Sequence, residues 1–402
     1  MQSRSDVCII GNGAIGKTSA LAFAQAGFSV TLLAPAAAEP TPVAQSWDVR
    51  VYALNHTAHD LLSSLRVWNA LDLARVAPVD AMDVRGDGAP AAGRLVFDAY
   101  GARTGALAWI VEDANLNRAL DAALRFAPNV RVVRGRATSL DASDDAARVA
   151  LDNGEVLAAS LVVGADGGQS WVRGQCDIGI DYRSYHQRAV VANFECTRPH
   201  HGVAHQWFAG HEGIIALLPL PGQRVSLVWS APDALAAALM QESQAQIASR
   251  LAVYADAVLG ELHPIEPETV RAFPLALVRP HAITATRVAL IGDAAHVVHP
   301  LAGHGMNLGF GDVAALVRIA SECEARGGDT RRDCGEARML TRYARSRKED
   351  ILLMQLATDG LERLFATDLE PVRALRNLGL NLVNKLPVLK HKLVAHALGK
   401  RA

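Results

Sequence analysis

Three glycines, Gly11, Gly13 and Gly16, follow the apolar run Val7–Ile10 and precede a helix-like stretch from Lys17 to Ala26. This spacing can hold a phosphate. The first glycine permits a tight turn, the second lets backbone approach a pyrophosphate, and the third lets helix and strand pack closely. The N-terminus of that helix would then offer free N–H groups and a partial positive charge to the anion. A second apolar run, Phe28–Leu33, follows the helix. The motif therefore sits in a β-α-β unit of about thirty residues, the setting in which it signals a dinucleotide site. One element of that signature differs. The second strand ends Leu32-Leu33-Ala34-Pro35, so Ala34 stands where an acid commonly meets a ribose hydroxyl. Glu39, in the Ala- and Pro-rich loop that follows, is either a carboxylate that reaches back or a solvated surface charge.

Two further blocks carry polar residues at strand ends. Leu161-Val162-Val163 runs into Gly164-Ala165-Asp166-Gly167-Gly168, with Ser170 and Arg173 close behind. A carboxylate, glycines, a hydroxyl and an Arg can organise a turn facing a cofactor. Arg287–Ile291 leads into Gly292-Asp293-Ala294-Ala295-His296, then His299-Pro300 and Gly303-His304-Gly305-Met306-Asn307. Asp293 is placed to bind a ribose hydroxyl, and the glycine-rich turn opens another helix whose N-terminus favours negative charge. His296, His299 and His304 do not share one helix face and have few carboxylate neighbours, so they read as structural or pocket-lining residues rather than metal ligands.

The elements that must position these blocks alternate along the chain. A helix is expected near Thr57–Leu65, strands at Met82–Arg85, Arg94–Phe97 and Ala108–Val111, and a helix over Asn115–Phe126. Strands follow at Val130–Val133 and Ala147–Leu151. Between about 175 and 275 the texture becomes strand-rich, with Ala189–Glu195, Ile214–Leu218 and Arg224–Trp229 bounded by Pro and Gly turns. This reads as an inserted sheet. After Pro300 the pattern is mostly helical.

Composition excludes several classes. The chain has 402 residues, enough for two connected domains. Lys and Arg total 40 against 41 Asp and Glu, so no basic excess points to nucleic acid. Cys8, Cys176, Cys196, Cys323 and Cys334 are scattered with no Cys-x-x-Cys pair, which argues against zinc or a disulfide framework. The first strand is expected to begin by Asp6, and no signal peptide is expected before it. No apolar run is long enough to span a bilayer.

The three blocks, in this order and separation, resemble the single-component flavoprotein aromatic hydroxylases. Within them the chain is similar to the ubiquinone-biosynthesis hydroxylases. The narrower likeness rests on Asp48-Val49-Arg50-Val51-Tyr52-Ala53-Leu54-Asn55, Leu65-Arg66-Val67-Trp68, Ala216–Leu220, Ser226–Trp229 and Pro300–Gly309. The resemblance implies an α/β fold: a Rossmann-like FAD-binding domain interleaved with a β-sheet substrate domain, plus a helical C-terminal region. The expected divisions are 1–75, 108–174 and 280–330 for FAD, 76–107 and 175–279 for substrate, and 331–402 for the helical end.

It also implies roles. Gly11, Gly13, Ala14, Ile15 and Gly16 would hold the FAD pyrophosphate, and Arg50 would face the cofactor. Asp166 belongs to a block associated with FAD and NAD(P)H, while Gly292 and Asp293 would meet the ribityl or pyrophosphate region. Pro300, Gly303, His304 and Gly305, with Met306 and Asn307, would lie against the flavin ring. His304 stands where the family commonly has Gln. The implied reaction consumes NAD(P)H and O2 and adds a hydroxyl to an electron-rich aromatic ring. The redox chemistry is FAD's, and the protein positions the ring and excludes water. No side-chain acid–base pair is evident.

The implied substrate is a polyprenylated phenol, which partitions into membranes. Leucines Leu375, Leu378, Leu382, Leu386, Leu389 and Leu393 recur at mostly helical spacing among Arg373, Arg376, Lys385, Lys390, Lys392 and Lys400. Such a segment can lie on an anionic bilayer or pack on the core, with Pro387 bending it. The expected location is the cytoplasm, peripheral to the inner face of the membrane, in contact with other ubiquinone-pathway proteins. Alternatives are hydroxylation of a small soluble aromatic, reduction of a prenyl group, and a scaffold subunit that binds FAD weakly.

Overall fold

The computed structural model describes residues 4–35, 47–87, 93–265, 268–299, 304–322 and 333–366, together with Asn377 and Asn381. The chain opens with β1 (Ser5–Ile10), α1 (Ala14–Gln25) and β2 (Val30–Ala34). The helix starts three residues before the sequence pattern placed it, because Gly13 serves as its extended N-cap. Next come β3 (Val51–Leu54), α2 (His56–Ser64), β4 (Val76–Val79), β5 (Ala81–Arg85), β6 (Arg94–Asp98) and β7 (Ala108–Glu112). Asn55 caps α2 by accepting from the Ala58 N–H. Then follow α3 (Asp113–Leu124), β8 (Val130–Arg134), β9 (Ala137–Ala142), β10 (Ala147–Leu151), β11 (Val156–Gly164) and α4 (Trp171–Gln175).

The strand-rich middle comprises β12 (Ile180–Cys196), β13 (Val203–Phe208), β14 (Ile214–Leu220) and β15 (Arg224–Pro232). It continues with α5 (Asp233–Leu239), α6 (Gln244–Leu259), β16 (Leu262–Pro264) and β17 (Arg271–Pro280). The chain then returns through β18 (Thr284–Ala285) and β19 (Val288–Leu290) to α7 (His304–Ser321) and α8 (Ala337–Ala366).

These strands form three sheets. The first has the order β18-β19-β11-β1-β2-β8, with β10 and β9 added beside β11. Its central strands are parallel and buried on both faces, which is why they read as unbroken apolar runs. One face packs on α1, α2, α3, α7 and α8 through Phe23, Leu62, Leu116, Phe310 and Tyr343. The second sheet runs β16-β12-β15-β14-β13-β5-β6, with β17 on β12. One of its faces carries Trp229, Leu227 and Ile215 against α5 and α6. The third sheet, β3-β7-β4, meets the second through Ala77, Val79, Ile110, Ala204 and Leu220.

Candidate active site

The C-terminal ends of β1, β11 and β19 bring the three polar blocks to one rim. Ile10 is in register with Leu33 and Gly164, and Gly164 with Leu290. Gly11 follows with φ +123°, and a side chain there would collide with the Ala165 carbonyl. A side chain at Gly16 would strike the Gly11 carbonyl. Both glycines are demanded by close packing of strand, turn and helix. Gly13 differs: a Cβ there meets nothing within 4 Å. It caps α1 without a side-chain hydrogen bond, and the first turn holds no acid. The helix therefore presents uncapped N–H groups toward open space, as a pyrophosphate site requires. Ala14 and Ile15 supply backbone there. The Ile15 side chain packs inward, where a Cβ on Gly309 would come within 2.9 Å of it.

The Asp166 block is self-contained. Ser170 Oγ donates to Asp166 Oδ1 at 2.6 Å, and the Val172 N–H donates to Oδ2 at 3.0 Å. Buried Arg173 donates to the Gly168 carbonyl at 2.8 Å and to the Ala294 carbonyl at 3.0 Å. Both Asp166 oxygens thus serve their own turn, and Arg173 fastens that turn to the third block.

In the third block, Asp293 is exposed and its carboxylate has no hydrogen-bond partner among the described residues. Crowding by protein raises its pKa, against the opposing pull of His296 and Arg50. A free carboxylate in a crowded crevice suits a polyhydroxylated ligand. Beneath it lies a buried charge cluster. His296 Nε2 is 2.6 Å from Asp312 Oδ2, and the Gly292 N–H donates to the same oxygen at 2.9 Å. Arg347 Nε donates to Asp312 Oδ1 at 2.7 Å. Burial works to raise the Asp312 pKa, but His296 and Arg347 outweigh it and the net shift is downward. Asp312 and Arg347 were not singled out from sequence. A charged residue inside the apolar stretch of α7 was the available signal.

Asn307, on α7, bonds through its side chain to the β3–α2 junction. Its Nδ2 donates to the Ala53 carbonyl at 2.8 Å, and its Oδ1 accepts from the Asn55 N–H at 2.9 Å. This clamps the start of α7 to the end of β3. At the other end of β3, Arg50 is exposed. Its guanidinium lies 5.7 Å from the Tyr52 ring centroid and 5.8 Å from that of Phe273. The preceding turn is fixed by Asp48, whose Oδ2 accepts from the Ala114 N–H at 3.1 Å and whose carbonyl accepts from Asn193 Nδ2 at 3.0 Å. Arg50 thus stands where the third sheet meets β17 of the second.

Pro300 and Gly303 lie outside the described residues, as do Glu39 and Cys323. His304 begins α7. A Cβ on Gly305 would meet nothing within 4 Å, and Met306 packs against the main core. His299, just before the turn, is fully buried. Its Nε2 is 3.3 Å from Gln187 Oε1 and its ring meets Tyr185 edge-on at 5.0 Å. Burial pushes its pKa down to about 4, so the imidazole is neutral at ordinary pH.

Uncapped helix N–H groups, a glycine with open space above it and an unpartnered carboxylate on the same sheet rim fit FAD and define a flavoprotein site. Residues 4–349 match the family described as FAD binding domain, and the chain belongs to that family. It is an FAD-dependent monooxygenase. It is 35% identical to the 3-demethoxyubiquinol 3-hydroxylase of Escherichia coli (strain K12), covering 98% of each chain. It is 34% identical to the ubiquinone hydroxylase UbiL of Rhodospirillum rubrum, over 98% of this chain and 90% of that one. Among solved structures, the p-nitrophenol 4-monooxygenase PnpA of Pseudomonas putida DLL-E4 superposes with a TM-score of 0.74 at 18% identity, covering 100% of both chains. Klebsiella pneumoniae HpxO, complexed with FAD and uric acid, gives 0.74 at 18% identity over 100% of this chain and 98% of that one. These two likenesses establish the shared fold.

Proposed function

We propose that this enzyme hydroxylates the aromatic ring of a polyprenylated phenol in ubiquinone biosynthesis, using NAD(P)H and O2. The observation that carries the reading is end-to-end similarity to a 3-demethoxyubiquinol 3-hydroxylase, combined with a rim whose open glycine turn and unpartnered Asp293 suit a bound FAD. Bound FAD supplies the redox chemistry, passing electrons from NAD(P)H to oxygen and an oxygen atom to the ring. The chain's own residues bind and orient. The N–H groups at Gly13, Ala14 and Ile15 would take the pyrophosphate, and Asp293 would accept from ribityl hydroxyls. Pro300, Gly303, His304 and Gly305 would face the flavin ring, as the family resemblance implies. Asn307, Asp312 and Arg173 hold these pieces in place, and Arg50 closes the site toward the second sheet. Buried neutral His299 and the apolar face around Tyr185, Leu275 and Leu277 keep water from the reacting ring.

A membrane-borne substrate calls for work at a lipid surface. No described helix is long and apolar enough to cross a membrane. Support comes from α8, where Leu352, Leu353, Leu356 and Leu364 are between 40% and 56% exposed. The basic, leucine-rich segment beyond it lies outside the described residues apart from Asn377 and Asn381. Those two accept from the Gly93 and Arg94 N–H groups at 3.0 Å each. Liposome flotation of the full chain, with and without Leu-to-Ser changes at 352, 353 and 356, tests this part. Equal flotation removes it.

The substrate assignment is tested by complementing strains blocked at single ubiquinone ring hydroxylations and weighing the intermediates that accumulate. Rescue of one block supports the proposal. Rescue of none, with a yellow FAD-bearing protein expressed, favours hydroxylation of a soluble aromatic or prenyl reduction.

A further inference from the structure

Ala34 ends β2 and is 5% exposed, so β2 supplies no acid to a ribose. The adjoining strand supplies something else. In the parallel β2–β8 pair, Ala34 is in register with Arg134, so the two side chains leave the same face of the sheet. The Gly135 N–H donates to the Ala34 carbonyl at 3.1 Å, fixing both strand ends at one level. That level is the rim from which Gly11 turns toward the pyrophosphate site. Arg134 is exposed and has no hydrogen-bond or ion-pair partner among the described residues. Its neighbours are already engaged. Arg131 on the same strand is paired with Glu155 at 2.7 Å, and Asp152, the carboxylate beside Gly135, accepts from the Arg136 N–H at 3.2 Å.

We propose that Arg134 holds the adenosine end of bound FAD, taking over from β8 the part that an acid at the end of β2 has in other dinucleotide folds. The chemistry changes with the residue. An acid accepts from ribose hydroxyls, whereas a guanidinium donates to the ribose oxygens and lays its plane on the purine. In open α/β sheets the dinucleotide lies across the carboxyl ends of the strands, and β8 borders β2 on the side away from β1. Arg134 is therefore, among the described residues, an unpaired cation in register with the missing acid, at the end of the ligand that the glycine turn does not reach.

FAD and FMN separate this role from the rest of the site, because FMN lacks the adenosine. Dissociation constants for both are read by flavin fluorescence on the apoprotein, for wild type, Arg134→Ala, Arg134→Gln and the control Arg131→Ala. Stacking and hydrogen bonding of this kind correspond to about a tenfold change in affinity. The expected result is an FAD constant raised about tenfold in both Arg134 variants, with the FMN constant and the control unchanged. An FAD constant unchanged in Arg134→Gln, or FAD and FMN weakened equally, overturns the assignment.

Discussion

His296 and Asp312, both fully buried, face each other at 2.6 Å beneath the Gly292 turn. Asp312 lies on α7 and His296 at the end of the Gly292–Asp293 block, so one carboxylate joins two pieces of the FAD site. Arg347 adds a second charge from α8. Replacing Asp312 with Ala leaves a buried guanidinium, an imidazole and the Gly292 N–H without their shared acceptor. Loss of one partner of a buried ion pair costs about 3–5 kcal/mol. Urea unfolding of the Asp312→Ala apoprotein should show a loss of that order, together with reduced FAD content on purification. A change below about 1 kcal/mol would mean the cluster carries little weight.

The glycines divide into two kinds by what surrounds them. Gly16 is hemmed in by the Gly11 carbonyl, while Gly13 and Gly305 face open space. Gly16→Val should therefore destabilise the apoprotein itself, by about 1–3 kcal/mol or more. Gly13→Val and Gly305→Val should fold with an unchanged apoprotein melting temperature and yet bind FAD at least about tenfold more weakly. Calorimetry of the three apoproteins beside FAD titrations checks this. Identical behaviour of Gly13→Val and Gly16→Val would contradict the division.

Asn307 makes two hydrogen bonds to the β3–α2 junction, one donated and one accepted. Asn307→Ala should cost about 2 kcal/mol, two bonds with their buried partners left unmet. Through β3 it should also loosen Arg50. Asn307→Asp, which can still accept from the Asn55 N–H but cannot donate to Ala53, should fall between. Denaturant titration of both variants measures it, and an unchanged midpoint in Asn307→Ala would show that the clamp is dispensable.

His299 gives the stability a pH dependence of defined sign. Its folded pKa, about 4, lies below the unfolded value of 6.5. The unfolded chain thus takes up this proton first as pH falls. The contribution is complete above pH 6.5 and is lost progressively as the pH drops toward 4, by about 3 kcal/mol in all. Unfolding free energies measured from pH 7 to 4.5 should fall less steeply in His299→Gln than in the native chain. Parallel profiles would mean the imidazole titrates normally.

The parts of this site that the sequence discloses are those where chemistry dictates both residue type and spacing. Gly11, Gly13 and Gly16 are visible because a strand, a turn and a helix must meet within a few residues. Asp293 is visible because it follows an apolar strand. The Asp312–Arg347 pair is different: its members reach Gly292 and His296 from α7 and α8, and no local spacing records a contact across such separations. Asp166 stood out for the same local reason as Asp293, yet its carboxylate closes its own turn, a distinction set by side-chain direction. In the second sheet, β12 extends back to Ile180, well before the apolar stretch at 189. The earlier half is a ladder with β17 that is largely exposed, Ile180 and Tyr182 included, so no buried apolar run marks it. Pro274 obscured β17 itself. Helix α6 carried a legible start, a reciprocal cap between Ser243 and Gln246, lost among alanines and a strand-rich setting.

The most direct test of the account is the fate of molecular oxygen. FAD-loaded protein is incubated with NAD(P)H, 18O2 and a detergent-solubilised polyprenylated phenol, and the product is weighed by mass spectrometry. One 18O atom is expected on the aromatic ring, with none acquired from labelled water in the reciprocal experiment. NAD(P)H oxidised with no oxygen entering the ring, or a reduced prenyl chain formed without oxygen uptake, would contradict it.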